Sequence, residues 1–250
     1  MDRVLDTLHL EIIEELEHQL VIKLKNYLTE LLLQLNQLIN MNFKNLIENS
    51  NNEFIPPKVD FIYLSKIRTE INDEDYYVFI SEKTNGGFFF DNSLHLYGSC
   101  TKPEYHSIES INNFIHNEFK ELTNGLLFFG QDIFGNQFGF DKSGIVLFNI
   151  ETGEKEFIAK NFMKWIEAIY CDVDFFTGQK IIKQWKAKKQ EIFMYDQRLC
   201  PKKPFVIGGE YEIINLYSQR FPLYISSNAN IANQIHNLAD GTDVKIITTE

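Results

Sequence analysis

Leu126-Leu127-Phe128-Phe129-Gly130, Gln137-Phe138-Gly139-Phe140, the turn signal Asp141-Lys142-Ser143-Gly144 and Ile145-Val146-Leu147-Phe148 together decide the fold of this chain. The first and last runs are apolar and of strand length, and the second alternates large and small residues. Gly135 bends the chain between the first two, and Thr152-Gly153 turns it towards a fourth segment, Phe157-Ile158-Ala159. Short strands joined by such turns pair as an antiparallel meander. The period then changes. Asn161 suits a helix N-cap, and Phe162, Trp165, Ile166 and Ile169 stand at i, i+3, i+4 and i+7, an apolar stripe able to cover the sheet.

Upstream, Asn85-Gly86-Gly87 precedes Phe88-Phe89-Phe90, and Asp91-Asn92-Ser93 separates that run from Leu94-His95-Leu96-Tyr97, a hairpin in outline. The glycines permit positive φ; a phosphate-cradling loop is the weaker reading, because no Walker spacing follows. Ser107 to Glu121 reads as a helix with Ile108, Ile111, Ile115 and Phe119 along one side. Downstream lie a basic segment with Trp185 as a core anchor, a loop with Pro201 and Pro204, and strands at Phe205-Val206-Ile207 and Glu210 to Leu216. A short helix carrying Ile231, Ile235 and Leu238 ends at Asp240-Gly241, and Val244-Lys245-Ile246-Ile247 reads as an edge strand.

Residues 1–48 hold neither glycine nor proline, and leucine or isoleucine recurs every three or four positions from Leu5 to Leu38. This is helix, expected in two pieces broken near Lys25-Asn26 or Asn40-Met41-Asn42, because one rod would be about 70 Å long. Its stripe either packs against its own domain or folds back as a helical hairpin, or else pairs two copies into a coiled-coil homodimer through residues 1–48; a Glu- and Gln-rich polar face speaks against a membrane-surface helix. Glu48 to Glu53 reads as a linker, and Pro56-Pro57 suits the start of a helix over Lys58 to Ile67. Asp73, Glu74 and Asp75 then stand near the start of a helical stretch from Ile71 to Phe79, where the macrodipole favours carboxylates. The organisation expected is an N-terminal helical extension, 1–50, and an α+β domain, 56–250.

The 250 residues can bury a substantial core without metal or disulfide. Cys100, Cys171 and Cys200 are odd in number and lack paired spacing, which argues against a secreted disulfide scaffold and against zinc. With no export signal and no membrane-length apolar run, the cytoplasm is the expected compartment. The formal charge of −11 disfavours nucleic acid and favours a basic partner. Residues 171–203 depart from this, carrying eight Lys or Arg against four acids, so the rest of the chain holds −15. Their plain reading is a solvated basic helix face.

The order Phe128-Phe129-Gly130, Asp132, Phe134-Gly135, Glu151-Thr152-Gly153-Glu154, Phe162 and Trp165, with Asn85-Gly86-Gly87 and Leu94 to Gly98 upstream and Gly208-Gly209-Glu210-Tyr211 and Asn215 downstream, resembles the SUKH superfamily of bacterial toxin-immunity proteins and fungal cell-wall regulators. The resemblance covers roughly residues 56–250. The chain departs from it at Ile71-Asn72-Asp73-Glu74, where a leucine-proline pair usually stands. It implies an α+β fold, an antiparallel twisted sheet flanked by helices, with Asn85, Gly86, Gly87, Phe129, Gly130, Phe134, Gly135, Phe162 and Trp165 as structural motif residues. It also implies that many relatives neutralise nuclease toxins by binding them.

Catalytic constellations are not evident. The six histidines are scattered, no HExxH or Gly-x-Ser-x-Gly occurs, and Cys171-Asp172-Val173-Asp174 lacks the ligand order of a calcium loop. Asp132 and Asp141 could form an acid pair, but turn hydrogen bonding is the plainer role. The sequence therefore predicts a non-enzymatic protein, without cofactor or metal, that holds a cationic toxin through carboxylates; a regulatory scaffold is the alternative. Asp73, Glu74, Asp75, Glu82 and Asp91, grouped near the glycine turn, are the candidate partner contacts.

Overall fold

A computed structural model describes residues 2–239 and 241–242, with side chains from residue 16 onward except residue 36. The fold is α+β. Two compact units divide the chain at Lys44 and Asn45. The first consists of most of α1, Asp2–Glu48, a single helix. The expected break is absent, because Asn inside a helix costs only tenths of a kcal/mol and length alone ends no helix.

In the second unit, β1 (Gly87–Phe89), β2 (Leu94–Leu96), β3 (Leu127–Gln131), β4 (Gln137–Asp141), β5 (Gly144–Phe148) and β6 (Lys155–Ala159) form one antiparallel sheet in sequence order. Local chemistry sets its turns. Asp141 Oδ1 accepts from the Ser143 and Gly144 amides at 2.7 and 3.2 Å, and Asn149 Oδ1 accepts from Glu151 N at 2.8 Å. Gly86 sits at φ +72, where a Cβ would lie 2.4 Å from the Leu96 carbonyl oxygen, so the turn before β1 requires glycine. Asn85 holds that turn by donating to the carbonyls of Pro57 and Ser99 and accepting from Ser99 N. The segment expected to be a linker instead pairs with the sheet: Asn51 N donates to Phe88 O at 2.7 Å, and Phe90 N to Asn49 O at 2.9 Å.

Helices cover this sheet. α2 (Phe61–Ile71) is capped by Asp60, which displaces the expected start at the prolines; α3 (Glu74–Val78) follows a left-handed Asn72. α4 (Ile108–Phe119) is capped by Ser107 and buries the predicted stripe. α5 (Phe162–Cys171) is capped by Asn161 and buries Phe162, Trp165, Ile166 and Ile169. The Trp165 ring lies 5.2 Å from both Phe129 and Phe138, joining helix and sheet through edge-on aromatic contacts.

α6 (Val173–Thr177) and α7 (Gln179–Lys189) lead to a two-stranded ribbon, β7 (Gln197–Pro201) with β8 (Leu216–Arg220), and then to α8 (Leu223–Ile235). Trp185 anchors a second core with Ile133, Ile182, Leu199 and Leu216. Here two sequence expectations fail. Phe205–Ile207 is a 3₁₀ turn, and of the run Glu210 to Leu216 only Leu216 enters a strand. Pro204 cannot donate to a ladder, and a Cβ on Gly209 would stand 1.9 Å from the Lys203 carbonyl oxygen, so the chain doubles back as a loop. Asn215 closes that loop by donating to the carbonyls of Lys203 and Glu210. The expected strand at Val244 to Ile247 lies outside the described residues.

Candidate partner-binding surface

The five candidate carboxylates occupy different settings. Asp73 caps α3 by accepting from Tyr76 N at 3.0 Å, and its other oxygen accepts from Phe162 N at the start of α5 at 2.7 Å. Glu74 pairs with Arg68 at 2.7 Å, while Asp75 is half-buried and its pKa is raised by burial and then by Asp73 and Glu74. These three border a shallow depression of about 230 Å³ that also contains Asp141 and Lys160. Glu82 is exposed on the π turn Phe79–Lys83. Asp91 belongs elsewhere: it pairs with Lys183 of α7 at 3.0 Å and accepts from Gln179 at 2.6 Å. Burial opposes its ionisation, but those bonds and the charges of Lys183 and Lys186 outweigh it and lower its pKa. The geometry thus gathers Asp73, Glu74 and Asp75, leaves Glu82 apart, and turns Asp91 against the basic segment.

Beneath the surface lies a polar network whose extent the sequence did not announce. Arg198 of β7 is 1 % exposed, and the Gln131 amide, oriented by its donors, presents its oxygen 3.0 Å from the guanidinium. Tyr97 donates to Gln137 at 2.6 Å, and Gln137 donates to the Gly135 carbonyl at 2.6 Å. His95 Nε2 and His106 Nδ1 lie 2.9 Å apart, and the far nitrogen of His106 meets the Asn85 carbonyl oxygen at 2.9 Å. Burial keeps both imidazoles neutral, lowering the His106 pKa to about 4. Asp132 accepts from the amides of Phe134 and Asn136 and from the Asn136 side chain, which confirms its turn role; burial nevertheless pushes its pKa up to about 7. These groups satisfy one another and fix the second core against the sheet.

Above this network the surface opens into a cavity of about 220 Å³. The β3–β4 turn supplies Phe134 and Asn136, the β5–β6 turn supplies Glu151, and the 201–211 loop supplies Phe205, Val206 and Tyr211. Phe205 and Tyr211 stack at 3.8 Å, and Phe134 stands edge-on to both at 5.4 Å. Glu151 Oε2 accepts from Val206 N at 2.9 Å, holding the loop to the sheet; burial raises its pKa against that bond. Tyr211 is 57 % exposed, with Val206 and Ile214 also facing solvent nearby in sequence. A concave site with aromatic walls and one carboxylate suits a cationic or flat apolar side chain. Sequence reading treated Phe134, Glu151 and Tyr211 as separate motif positions. The Pro204 and Gly208-Gly209 punctuation was the available signal that the loop returns to meet them.

No family model matches the chain, and no curated protein matches it. Among solved structures, it is similar to the crystal structure of Atu4351 from Agrobacterium tumefaciens, at 17 % identity and a TM-score of 0.50, covering 74 % of this chain and 84 % of that one. At that identity the likeness concerns the fold. Among the described residues, no helix is long and apolar enough to cross a membrane, and no cluster of His, Cys, Asp and Glu is arranged to hold a metal.

Proposed function

We propose that the chain is a non-enzymatic immunity protein of the SUKH kind, which binds a basic toxin, such as a nuclease, in the cytoplasm and blocks it by occupancy. The observation that carries this reading is the cavity lined by Phe134, Phe205, Tyr211 and Glu151 on a chain of net charge −11. A Lys or Arg side chain from the partner would meet aromatic faces at the mouth and the buried Glu151 carboxylate at the base, while the overall charge speeds the encounter. Exposed aromatic residues around a pocket are the usual anchors of a protein interface. Asp73, Glu74, Asp75, Glu82 and Asp91 contribute to the long-range field, with Asp73 and Asp91 chiefly committed within the fold.

The test starts from the protein recovered with this chain out of native cells. An inhibitor copurifies at a fixed ratio, associates faster in low salt and protects cells that co-express the toxin. Tyr211→Ala combined with Glu151→Gln then weakens binding at least 10-fold, about 1.4 kcal/mol. Equal affinity for that variant and the parent would remove the cavity from the interface. A second reading, an intracellular scaffold, is favoured by the solvent-facing leucines of α1; it predicts loss of the partner on deletion of residues 1–48, whereas the inhibitor reading predicts retention.

A further inference from the structure

α1 displays a solvent-facing row of large apolar side chains from Leu16 to Met41, among them Leu20, Leu24, Leu28 and Leu35, all about half exposed. The row repeats every eleven residues: Leu16, Tyr27 and Leu38; Leu20 and Leu31; Val21 and Leu32; Leu24 and Leu35. An eleven-residue repeat corresponds to about 3.67 residues per turn, close to that of a straight helix, so the row stays on one face along its length. Nothing in a soluble environment favours leaving such a face in water.

We infer that this face pairs with the same face of a second copy, antiparallel, about a two-fold axis between Thr29 and Glu30. On this face the apolar positions from Leu20 to Ile39 read the same from both ends about that midpoint, while Ile22 and Leu33 lie on the opposite side of the helix. Leu28 meets Leu31, Leu24 meets Leu35, Val21 meets Leu38 and Leu20 meets Ile39. Such self-complementarity is what an isologous contact needs. The polar intrusions agree. Glu17 and Asn42 both fall on the stripe, and the same axis places each beside the other, a carboxylate next to an amide donor. Parallel, in-register pairing would instead set Glu17 against Glu17, a like-charge contact in a desolvating seam.

Two such faces remove on the order of 1,500 Å² from water, the size of a standard specific interface. This inference is independent of toxin binding.

The experiment uses the full chain with its exposed Cys171 replaced, Cys171→Ser. Sedimentation across a concentration series is expected to show a reversible dimer. Leu28→Glu with Leu31→Glu, at the centre of the stripe, should raise the dimer Kd by about 100-fold or more, since carboxylates would have to be buried, with the circular dichroism of the body unchanged. Orientation is read by oxidation of single-cysteine variants: Leu24→Cys mixed with Leu35→Cys should cross-link as a heteropair, and each alone should not. A monomer at every concentration, efficient Leu24→Cys self-cross-linking, or assembly unaffected by the glutamate pair would overturn the inference.

Discussion

Asp73→Ala removes two helix anchors at once, so it should destabilise far more than loss of a surface charge. The carboxylate accepts from Tyr76 N at 3.0 Å and from Phe162 N at 2.7 Å, tying the starts of α3 and α5 together. Loss of a capping bond costs about 1 kcal/mol. The second bond holds a partly buried amide on the helix that carries Trp165, and leaving such a donor unmet costs a further 1–2 kcal/mol or so. The sum is about 2–3 kcal/mol, which at a urea slope near 3 kcal/mol/M lowers the unfolding midpoint by roughly 0.7–1 M. Asp73→Asn keeps one acceptor oxygen and should lose about half as much. Equilibrium urea unfolding followed by tryptophan fluorescence and by circular dichroism measures both variants. A midpoint within about 0.2 M of the parent for Asp73→Ala would refute the reasoning and return Asp73 to the solvent-facing charges.

Between pH 4 and 7, buried groups should pull stability in opposite directions. His106, held neutral to about pH 4, stabilises the fold above its unfolded pKa near 6.5, and that contribution drains away as pH falls towards 4; Asp132, which keeps its proton to about pH 7, stabilises below about pH 4 and loses its contribution as pH rises towards 7. Asp132→Asn should therefore make stability rise more steeply from pH 5 to 7, and an unchanged slope in urea melts would mean that Asp132 is ionised in the fold. Gly209→Ala, whose Cβ would strike the Lys203 carbonyl, should displace the loop and quench any binding that depends on Tyr211, while Gly125→Ala, with open space but φ +73, should cost only about 1 kcal/mol. Trp185→Phe should cost about 1–2 kcal/mol by thermal unfolding, because the buried indole N–H makes no hydrogen bond and only ring volume is lost.

Where neighbours in sequence are neighbours in space, the residues were readable. The meander from Leu127 to Ala159 rests on Asp141, Asn149 and glycine acting within four residues of themselves, and the caps at Ser107 and Asn161 are equally local. The ribbon was not readable, because β7 buries Arg198 beside Leu199 and ends in Pro201, so it alternates neither in polarity nor in propensity. Phe205-Val206-Ile207 looked like a strand for the converse reason, being apolar without a partner. The carboxylates illustrate the same limit. Asp91 is free by composition but meets Lys183 across 92 positions of chain, and Glu151 meets Val206 across 55. Likewise the cavity draws its walls from the β3–β4 and β5–β6 turns, the 201–211 loop and Asn228 of α8, which no spacing rule joins.

The buried guanidinium of Arg198 also proofreads assembly. It donates to the carbonyls of Tyr195 and Gln197 in its own segment, but its other neighbours, Gln131, Tyr97, Tyr224 and Asp132, come from β3, the residue after β2, the turn after β3 and α8, so the charge is fully surrounded only when these have arrived. Sliding β7 by one residue would bring Leu199 to the polar niche and leave the cation facing hydrocarbon, a far costlier error than a misplaced leucine alone. A ribbon of two strands, which ordinarily tolerates slippage, is in this way confined to a single alignment by one positive charge.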